Sequence, residues 1–211
     1  YTVKSKILYA SDFGVPQRRN RLFIVGNRNG IDFEFPKEFD YSVSVDEAIS
    51  DLPVLGNGEI QMKGEYTVPF EQASPYAQLM RKKSKAPTQN IVSRNKDYVV
   101  ERYKYIGQGE NWSSIPDRLM ENYADKKRCH SGIYKRLIGG KPSVVISNYR
   151  KSMLIHPHQD RGLSVREAAR LQSFPDHFIF EGPVSYVQQQ IGNAVPPLLA
   201  KAVMKKILTY K

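Results

Sequence analysis

The chain has 211 residues, of which 40% are hydrophobic and 25% charged, and this ordinary globular composition excludes disorder as the first interpretation. No apolar run reaches the roughly 18 residues of a membrane helix, and the N-terminus lacks the apolar core of a signal peptide. The only cysteine, Cys129, excludes an internal disulfide framework, which suits a reducing, cytoplasmic setting.

The formal net charge of +11 is concentrated in the middle of the chain. Residues 81–151 contain 17 Lys or Arg and 6 Asp or Glu, whereas residues 1–80 carry a net charge of −3. Aromatic residues are interleaved with the basic ones. This pattern is typical of a surface that binds nucleic acid, and a soluble basic face without a partner is the alternative interpretation.

The first elements predicted are two strands joined by a basic loop. Residues 3–9 are rich in Val, Ile, Leu and Tyr, and the continuous apolar run at residues 21–26 predicts a buried sheet position. The loop at residues 11–20 connects them. Since strands fix what such a loop presents, the loop is a candidate functional site, although an ordinary exposed loop is the alternative.

Short helices and strands are expected in the middle of the chain. The capping-box pattern Ser44–Glu47 predicts a short helix, and residues 74–83 predict another with Pro75 in its first turn. Short strands are expected at Asp97–Tyr105 and Ser143–Ser147. Domain boundaries are expected near residues 55–70 and 148–160.

The last third predicts three helices. Ser164–Glu167 is a second capping box, and its helix should end before Phe174 because Pro175 disfavours the helical conformation there. Ser185–Gln188 is a third possible cap. The final helix is expected to begin at Pro196–Pro197 and to run to the end of the chain, with its N-terminal amides open to an anionic group.

Three phrases of the sequence resemble a known family when they are taken in order. They are Asp12–Gly26 (DFGVPQRRNRLFIVG), Gly162–Asp176 (GLSVREAARLQSFPD) and Gln190–Pro197 (QIGNAVPP). Together they resemble the three C-terminal motifs of the cytosine-5 DNA methyltransferases. Each phrase is specific only as a whole, since Gln-x-Arg-x-Arg or Gly-Asn alone is common.

The resemblance implies a mixed α/β fold, in which a target recognition domain of short strands and loops accompanies the C-terminal remnant of a Rossmann-like methyltransferase domain. On this division residues 1–60 hold the end of the catalytic sheet, residues 61–150 form the recognition domain, and residues 151–211 are C-terminal helices that return to the catalytic domain.

The resemblance also implies the roles of the first motif. Gln17, Arg19 and Arg21 would line the pocket for a flipped cytosine, with Arg21 donating to its O2 and Arg19 holding the base or an adjacent phosphate. Nucleophilic attack on C6 of the base places negative charge on the ring. A fixed guanidinium near O2 would stabilise that charge without reorganising.

The other two motifs have different implied roles. Arg166, Glu167 and Arg170 would be mostly structural, tied into salt bridges and caps. Asn193 and Ala194 would lie near the cofactor, S-adenosylmethionine, and no metal is expected.

The basic middle segment coincides with the part of the family that reads double-stranded DNA in the major groove. The expected DNA contacts are basic side chains of this segment: Arg94, Lys96, Arg102, Lys104, Arg128, Lys135, Arg136 and Arg150. The sequence does not separate base readers from phosphate contacts.

The residue that would carry out the central step of the family's chemistry is absent from this sequence. The family attacks cytosine C6 with the thiolate of a Pro-Cys loop, whereas Cys129 follows Arg128 and lies in the recognition region. Glu110–Trp112 and Glu121–Tyr123 look like the family's Glu-Asn-Val motif but are out of order. The chain is therefore expected to be inactive alone.

Three interpretations follow for the whole protein. The chain is the C-terminal part of a longer methyltransferase, which the missing initial Met favours; or it is the small subunit of a split enzyme; or it is a non-catalytic DNA-binding module. The first two require a missing N-terminal catalytic half as partner, in the same chain or a separate one. The split-subunit interpretation predicts an exposed apolar surface near residues 3–9, 21–26 and 198–207. No membrane partner is expected.

Overall fold

The computed structural model describes residues 1–121, 131–147 and 149–210. The predicted mixed α/β fold is confirmed, with two small antiparallel sheets and six α-helices in this part of the chain. The strands are β1 Thr2–Tyr9, β2 Asn20–Asn27, β3 Ile60–Lys63 and β4 Thr88–Ile91. The helices are α1 Val45–Ile49, α2 Pro75–Arg81, α3 Asp97–Tyr103, α4 Val165–Leu171, α5 Val184–Asn193 and α6 Pro197–Leu208. None of the described helices is long and apolar enough to cross a membrane.

The first sheet is the β1–β2 hairpin, whose register pairs Thr2 with Asn27 and Tyr9 with Asn20. Both strands were predicted, but β2 is not buried on both faces as its apolar run suggested. Its residues alternate between exposed and half-buried, because α6 covers only one face of the hairpin. On that face Leu8 and Leu199 are fully buried.

Helix ends follow the predicted capping chemistry. At Ser44 and Ser164 the side chain accepts a hydrogen bond from the backbone N–H three residues on, and the Glu at that position bonds back to the cap N–H. The third predicted cap is wrong: α5 begins at Val184 with Pro183 as its N-cap. The proline already fixes the backbone φ of a residue entering a helix, so Ser185 lies inside the first turn.

Two predicted strands take other forms. The strand expected at Asp97–Tyr105 is α3, because Val99, Arg102 and Tyr103 lie at helical spacing and bury one face. Among the residues that the structure describes, the strand expected at Ser143–Ser147 has no ladder partner, and one isolated bridge joins Ser143 to Gln17.

Three apolar clusters organise the described chain. The largest joins α1, α2, α4 and α5. A second is built around α3 and Tyr134. The third lies between the β1–β2 hairpin and α6. The candidate site forms where the hairpin end meets α4 and α5.

Candidate functional site

The loop between β1 and β2 is closed by its own backbone. The N–H of Ala10 donates to the Arg19 carbonyl at 2.7 Å, and the N–H of Val15 donates to the Ala10 carbonyl at 3.2 Å. Gly14 turns the chain with φ of +74°, a conformation that favours glycine. The loop therefore holds the residues that follow it in a fixed position.

Gln17 is fully buried, and both ends of its amide are used. Its Nε2 donates to the Leu171 carbonyl at the end of α4 at 3.2 Å, and its Oε1 accepts from the Ile146 N–H at 3.0 Å. Gln17 therefore fastens the loop to α4 and to residues 143–147.

Arg19 and Arg21 join the first motif to the third. The buried Arg19 guanidinium donates to the Ile146 carbonyl at 3.0 Å and to the Gly192 carbonyl at 2.7 Å. Arg21 is half-buried and donates from Nη2 to the Ala194 carbonyl at 3.4 Å. Burial lowers the pKa of Arg21. Of the three predicted base-pocket residues, Arg21 is the one whose side chain reaches solvent.

The segment 143–147 holds this junction together, although its sequence carried no signal beyond an extended conformation. The Ser143 N–H donates to the Pro16 carbonyl at 3.0 Å, and the Arg18 N–H donates to the Ser143 carbonyl at 2.8 Å. Ile146 is fully buried. A Cβ on Gly192 would stand 1.9 Å from the Ser147 carbonyl oxygen, so only glycine allows this approach.

Asn193 and Ala194 lie at the end of α5 rather than in a turn before α6. Asn193 is exposed and is the last residue of the helix, and the Ala194 N–H donates to the Gln190 carbonyl. The two residues therefore adjoin the carbonyls that Arg19 and Arg21 bind.

The predicted anion-receiving start of α6 is not formed by its first residues. Pro196 and Pro197 have no N–H, and the Leu198 N–H donates to the Ser173 hydroxyl at 3.1 Å. At these three positions the amides that would receive an anion are therefore missing or used within the protein.

The second motif, on α4, is structural as expected. Arg161 and Glu167 form a buried ion pair at 2.7 Å. Burial on its own would raise the pKa of Glu167, but the Arg161 guanidinium holds it at about 2. Arg170 is fully buried between Asp51 at 2.6 Å and Asp176 at 2.7 Å. These contacts fix α4 beneath the loop that carries Gln17.

The basic residues expected to contact DNA fall into an exposed group and a buried group. Exposed side chains are those of Arg94, Lys96, Lys104 and Arg150, and Lys135 is half-buried with its ammonium donating to the Gly109 carbonyl. Arg128 lies outside the described residues.

Arg102 and Arg136 are corrected to interior residues. The Arg102 guanidinium donates to the Leu119 carbonyl and the Tyr134 hydroxyl, and Arg136 donates to four carbonyls and to Asp160. A buried guanidinium must be satisfied internally, so these two stabilise the middle of the chain and do not present their charge to solvent.

One face of the β1–β2 hairpin is apolar and exposed. The side chains of Val3, Ile7 and Tyr9 share it with those of Leu22 and Ile24, and each is between 52% and 66% exposed. On α6, which packs against the opposite face of the hairpin, Met204 and Leu208 are also exposed. The exposed apolar surface expected at the two strands is therefore confirmed. A contiguous apolar patch of this kind marks an interaction surface.

Comparison with known proteins identifies one family. Residues 1–209 match the family model described as C-5 cytosine-specific DNA methylase. The Type II methyltransferase M1.HphI of Haemophilus parahaemolyticus is 35% identical over 210 residues, which cover 99% of this chain and 48% of that protein. M.DdeI of Desulfomicrobium norvegicum is 33% identical over 231 residues, covering 100% and 55% respectively. The chain thus spans about half the length of these curated relatives.

The fold is also similar to that of a solved structure. A protein of an E. coli prophage, assigned as a DNA modification methyltransferase, superposes with a TM-score of 0.68 at 23% identity. The match covers 99% of this chain and 60% of that one, and at this identity it supports the fold alone.

Proposed function

Because the chain belongs to the C-5 cytosine-specific DNA methylase family, we propose that it is the DNA-reading, C-terminal part of a DNA cytosine-5 methyltransferase. The observation that carries the proposal is the bond from Arg19 to the Gly192 carbonyl. It joins the loop assigned to the base pocket with the end of α5, which is assigned to the cofactor pocket. Two pockets that must hold a base and a methyl donor side by side need such a rigid connection.

In the base pocket, Arg21 is the residue that faces the flipped cytosine. Its guanidinium is anchored at Ala194 but half-exposed, so it can donate to O2 as negative charge develops on the ring. Gln17 and Arg19 hold this pocket in position through buried contacts. Their polar groups bind Leu171, Ile146 and Gly192, which keeps Arg21 in place.

Asn193 and Ala194 form one wall of the cofactor site. Asn193 presents an exposed amide at the end of α5, and the Gly192 carbonyl beside it is fixed by Arg19. These neutral polar groups fit an uncharged or zwitterionic part of S-adenosylmethionine, which when bound supplies the methyl group. The wall opposite them belongs to residues outside this chain.

Residues 61–150 are proposed as the recognition domain, and DNA contact falls to their solvent-exposed basic side chains. These are Arg94, Lys96, Lys104 and Arg150, with Lys135 at the margin and Arg128 added from the sequence. When exposed guanidinium and ammonium groups bind phosphates, the DNA releases its condensed counterions, and the affinity therefore depends on salt. Base readers are expected among the arginines, which can donate two hydrogen bonds to guanine.

The nucleophile must come from a catalytic N-terminal half, because no Pro-Cys pair occurs in the sequence. The exposed apolar side chains of Val3, Ile7, Leu22 and Ile24 on the β1–β2 hairpin form the surface on which that half packs, either within one chain or as a separate subunit. The same proposal places the protein in the cytoplasm, where DNA and a reducing environment coincide.

A methyl-transfer assay tests the proposal. The pure chain is incubated with duplex DNA and tritiated S-adenosylmethionine, and DNA retention is measured in parallel. We expect duplex binding without methyl transfer. Methyl transfer by the chain alone would contradict the conclusion that this chain lacks the nucleophile. A failure to retain DNA would contradict the proposed role in reading DNA.

A non-catalytic DNA-binding module is the other candidate function. It predicts that Arg21→Ala leaves the affinity for DNA and the preference between duplexes unchanged, because such a module has no base pocket. In the methyltransferase interpretation, the same variant loses preference for a duplex with a mismatched, easily extruded cytosine. A 2-aminopurine probe at that position reports extrusion by its fluorescence.

A further inference from the structure

Arg18 differs from both of its neighbours in the loop. Gln17 and Arg19 are buried and hydrogen-bonded to backbone groups, whereas the Arg18 side chain points to solvent. Within the described residues no hydrogen bond or ion pair involves its guanidinium. Its backbone is nevertheless held, because its N–H donates to the Ser143 carbonyl at 2.8 Å. Arg18 is thus a free cation on a rigid support.

The guanidinium borders an open cleft of about 480 Å³ at the end of the hairpin. Neutral polar groups of Ser11 and Asn20 share the cleft, and Tyr9 and Val145 form part of its wall. The Asp12 carboxylate also lies there, where its Oδ1 accepts from the Ser11 hydroxyl at 3.0 Å. The cleft therefore combines one free cation, neutral polar groups and one carboxylate that is already engaged.

We propose that Arg18 binds a backbone phosphate of the DNA beside the base pocket, an inference that rests on the proposed function. A guanidinium matches the geometry of phosphate oxygens with two parallel donors. The Asp12 carboxylate repels a dianion more strongly than a singly charged phosphodiester, so the cleft favours a nucleic-acid backbone over free phosphate.

The position of the cleft supports this ligand. Val145 comes from residues 143–147, which lie inside the proposed recognition domain, so a duplex held by that domain passes this edge. Arg21, proposed to face the extruded base, is three residues from Arg18 on the same hairpin. A phosphate fixed at Arg18 holds the backbone of the nucleotide whose base has left the stack.

The test compares Arg18→Ala with a matched control, Arg28→Ala. Arg28 is an exposed arginine at the opposite end of the same hairpin, where it donates to the Tyr1 hydroxyl at 2.9 Å. Both variants remove one positive charge. Fluorescence anisotropy of a labelled duplex is measured across a salt series, and thermal unfolding confirms that each variant folds.

We expect Arg18→Ala to weaken binding about 5- to 10-fold at low salt for every duplex sequence, and to make the log–log salt slope shallower by about 0.9. Arg28→Ala should match the wild type. Arg18→Lys should keep the slope and lose only part of the affinity, since it retains the charge but not the two-donor geometry. If Arg18→Ala and Arg28→Ala bind alike, the inference about Arg18 is wrong while the proposed function stands. Wild-type chain that binds no duplex would overturn both.

Discussion

The guanidinium of Arg19 donates to the carbonyl of Gly192, which lies 173 residues further along the chain, at a distance of 2.7 Å. The same guanidinium donates to the Ile146 carbonyl at 3.0 Å. One buried cation therefore ties together the hairpin loop, the segment 143–147 and the end of α5. Each of these carries a piece of the proposed pocket, so their relative position depends on this side chain.

Replacing Arg19 by Lys should destabilise the fold by about 1–3 kcal/mol. A single ammonium cannot reach both carbonyls with the guanidinium's geometry, and one buried acceptor would lose its partner. Urea unfolding followed by circular dichroism measures the change. Arg18→Lys is the control at the exposed neighbouring position and should leave the midpoint unmoved. Equal unfolding midpoints for the two variants would show that the Arg19 contacts do not contribute to stability.

Gly192→Ala should also be destabilising, although alanine is normally the better helix residue. Its Cβ would stand 1.9 Å from the Ser147 carbonyl oxygen, so the segment 143–147 would have to move. Overpacking of this kind costs about 1–3 kcal/mol, more than the gain of about 1 kcal/mol in helix propensity. The control is Gly140→Ala, where a Cβ would meet nothing within 4 Å. A Gly192→Ala protein as stable as the control would refute this packing.

Arg170→Met should cost about 3–5 kcal/mol in the free energy of unfolding. Arg170 is buried between the carboxylates of Asp51 and Asp176, and its loss would leave two buried charges without their common partner. Lys104→Met removes an exposed ion pair with Glu101 and should leave stability unchanged. A double variant, with Asp51 also changed to Asn, should recover part of the loss. No recovery would mean that packing, and not charge, sets the cost.

Stability should fall as the pH drops below about 6.5. Burial lowers the pKa of His156 to about 4, so the unfolded chain binds this proton more tightly than the folded one does. Acid therefore favours unfolding between pH 6.5 and about 4, by up to about 3 kcal/mol. Below about pH 4.5 the Glu167 carboxylate adds to the loss, because Arg161 holds its pKa at about 2 in the folded state.

Chemical unfolding at several pH values measures this dependence. His156→Gln should flatten the curve between pH 6.5 and 4.5, and His177→Gln, at an exposed position, should follow the wild type. An unchanged curve for His156→Gln would place the effect in other groups.

Local sequence patterns predicted the elements whose determinants are local. The capping boxes at Ser44 and Ser164 are complete because serine and glutamate three residues apart bond each other's backbone wherever a helix starts. Both strands of the first hairpin were also predicted. The helix at Asp97–Tyr103 was missed because its valines and tyrosines favour strands, while burial of one face at helical spacing decided otherwise.

The candidate site needed information that no local pattern contains. The motifs identified the loop and residues 190–197, but not that Ile146 joins them, since its contact with Arg19 spans 127 residues. Charge alone could not separate Arg136, which is buried among carbonyls, from the exposed Arg94, because both lie in the same basic segment. Only the tertiary fold distinguishes a guanidinium that stabilises the interior from one that is open to solvent.

The most direct measurement of the central claim is selection of duplexes from a random pool by the pure chain, followed by anisotropy of the selected duplex across a salt series. The proposed function predicts enrichment of one short site that contains cytosine, and a steep fall of affinity with salt. Steep salt dependence with no enriched site would contradict sequence reading by residues 61–150, and would reduce the basic segment to a surface that binds any DNA.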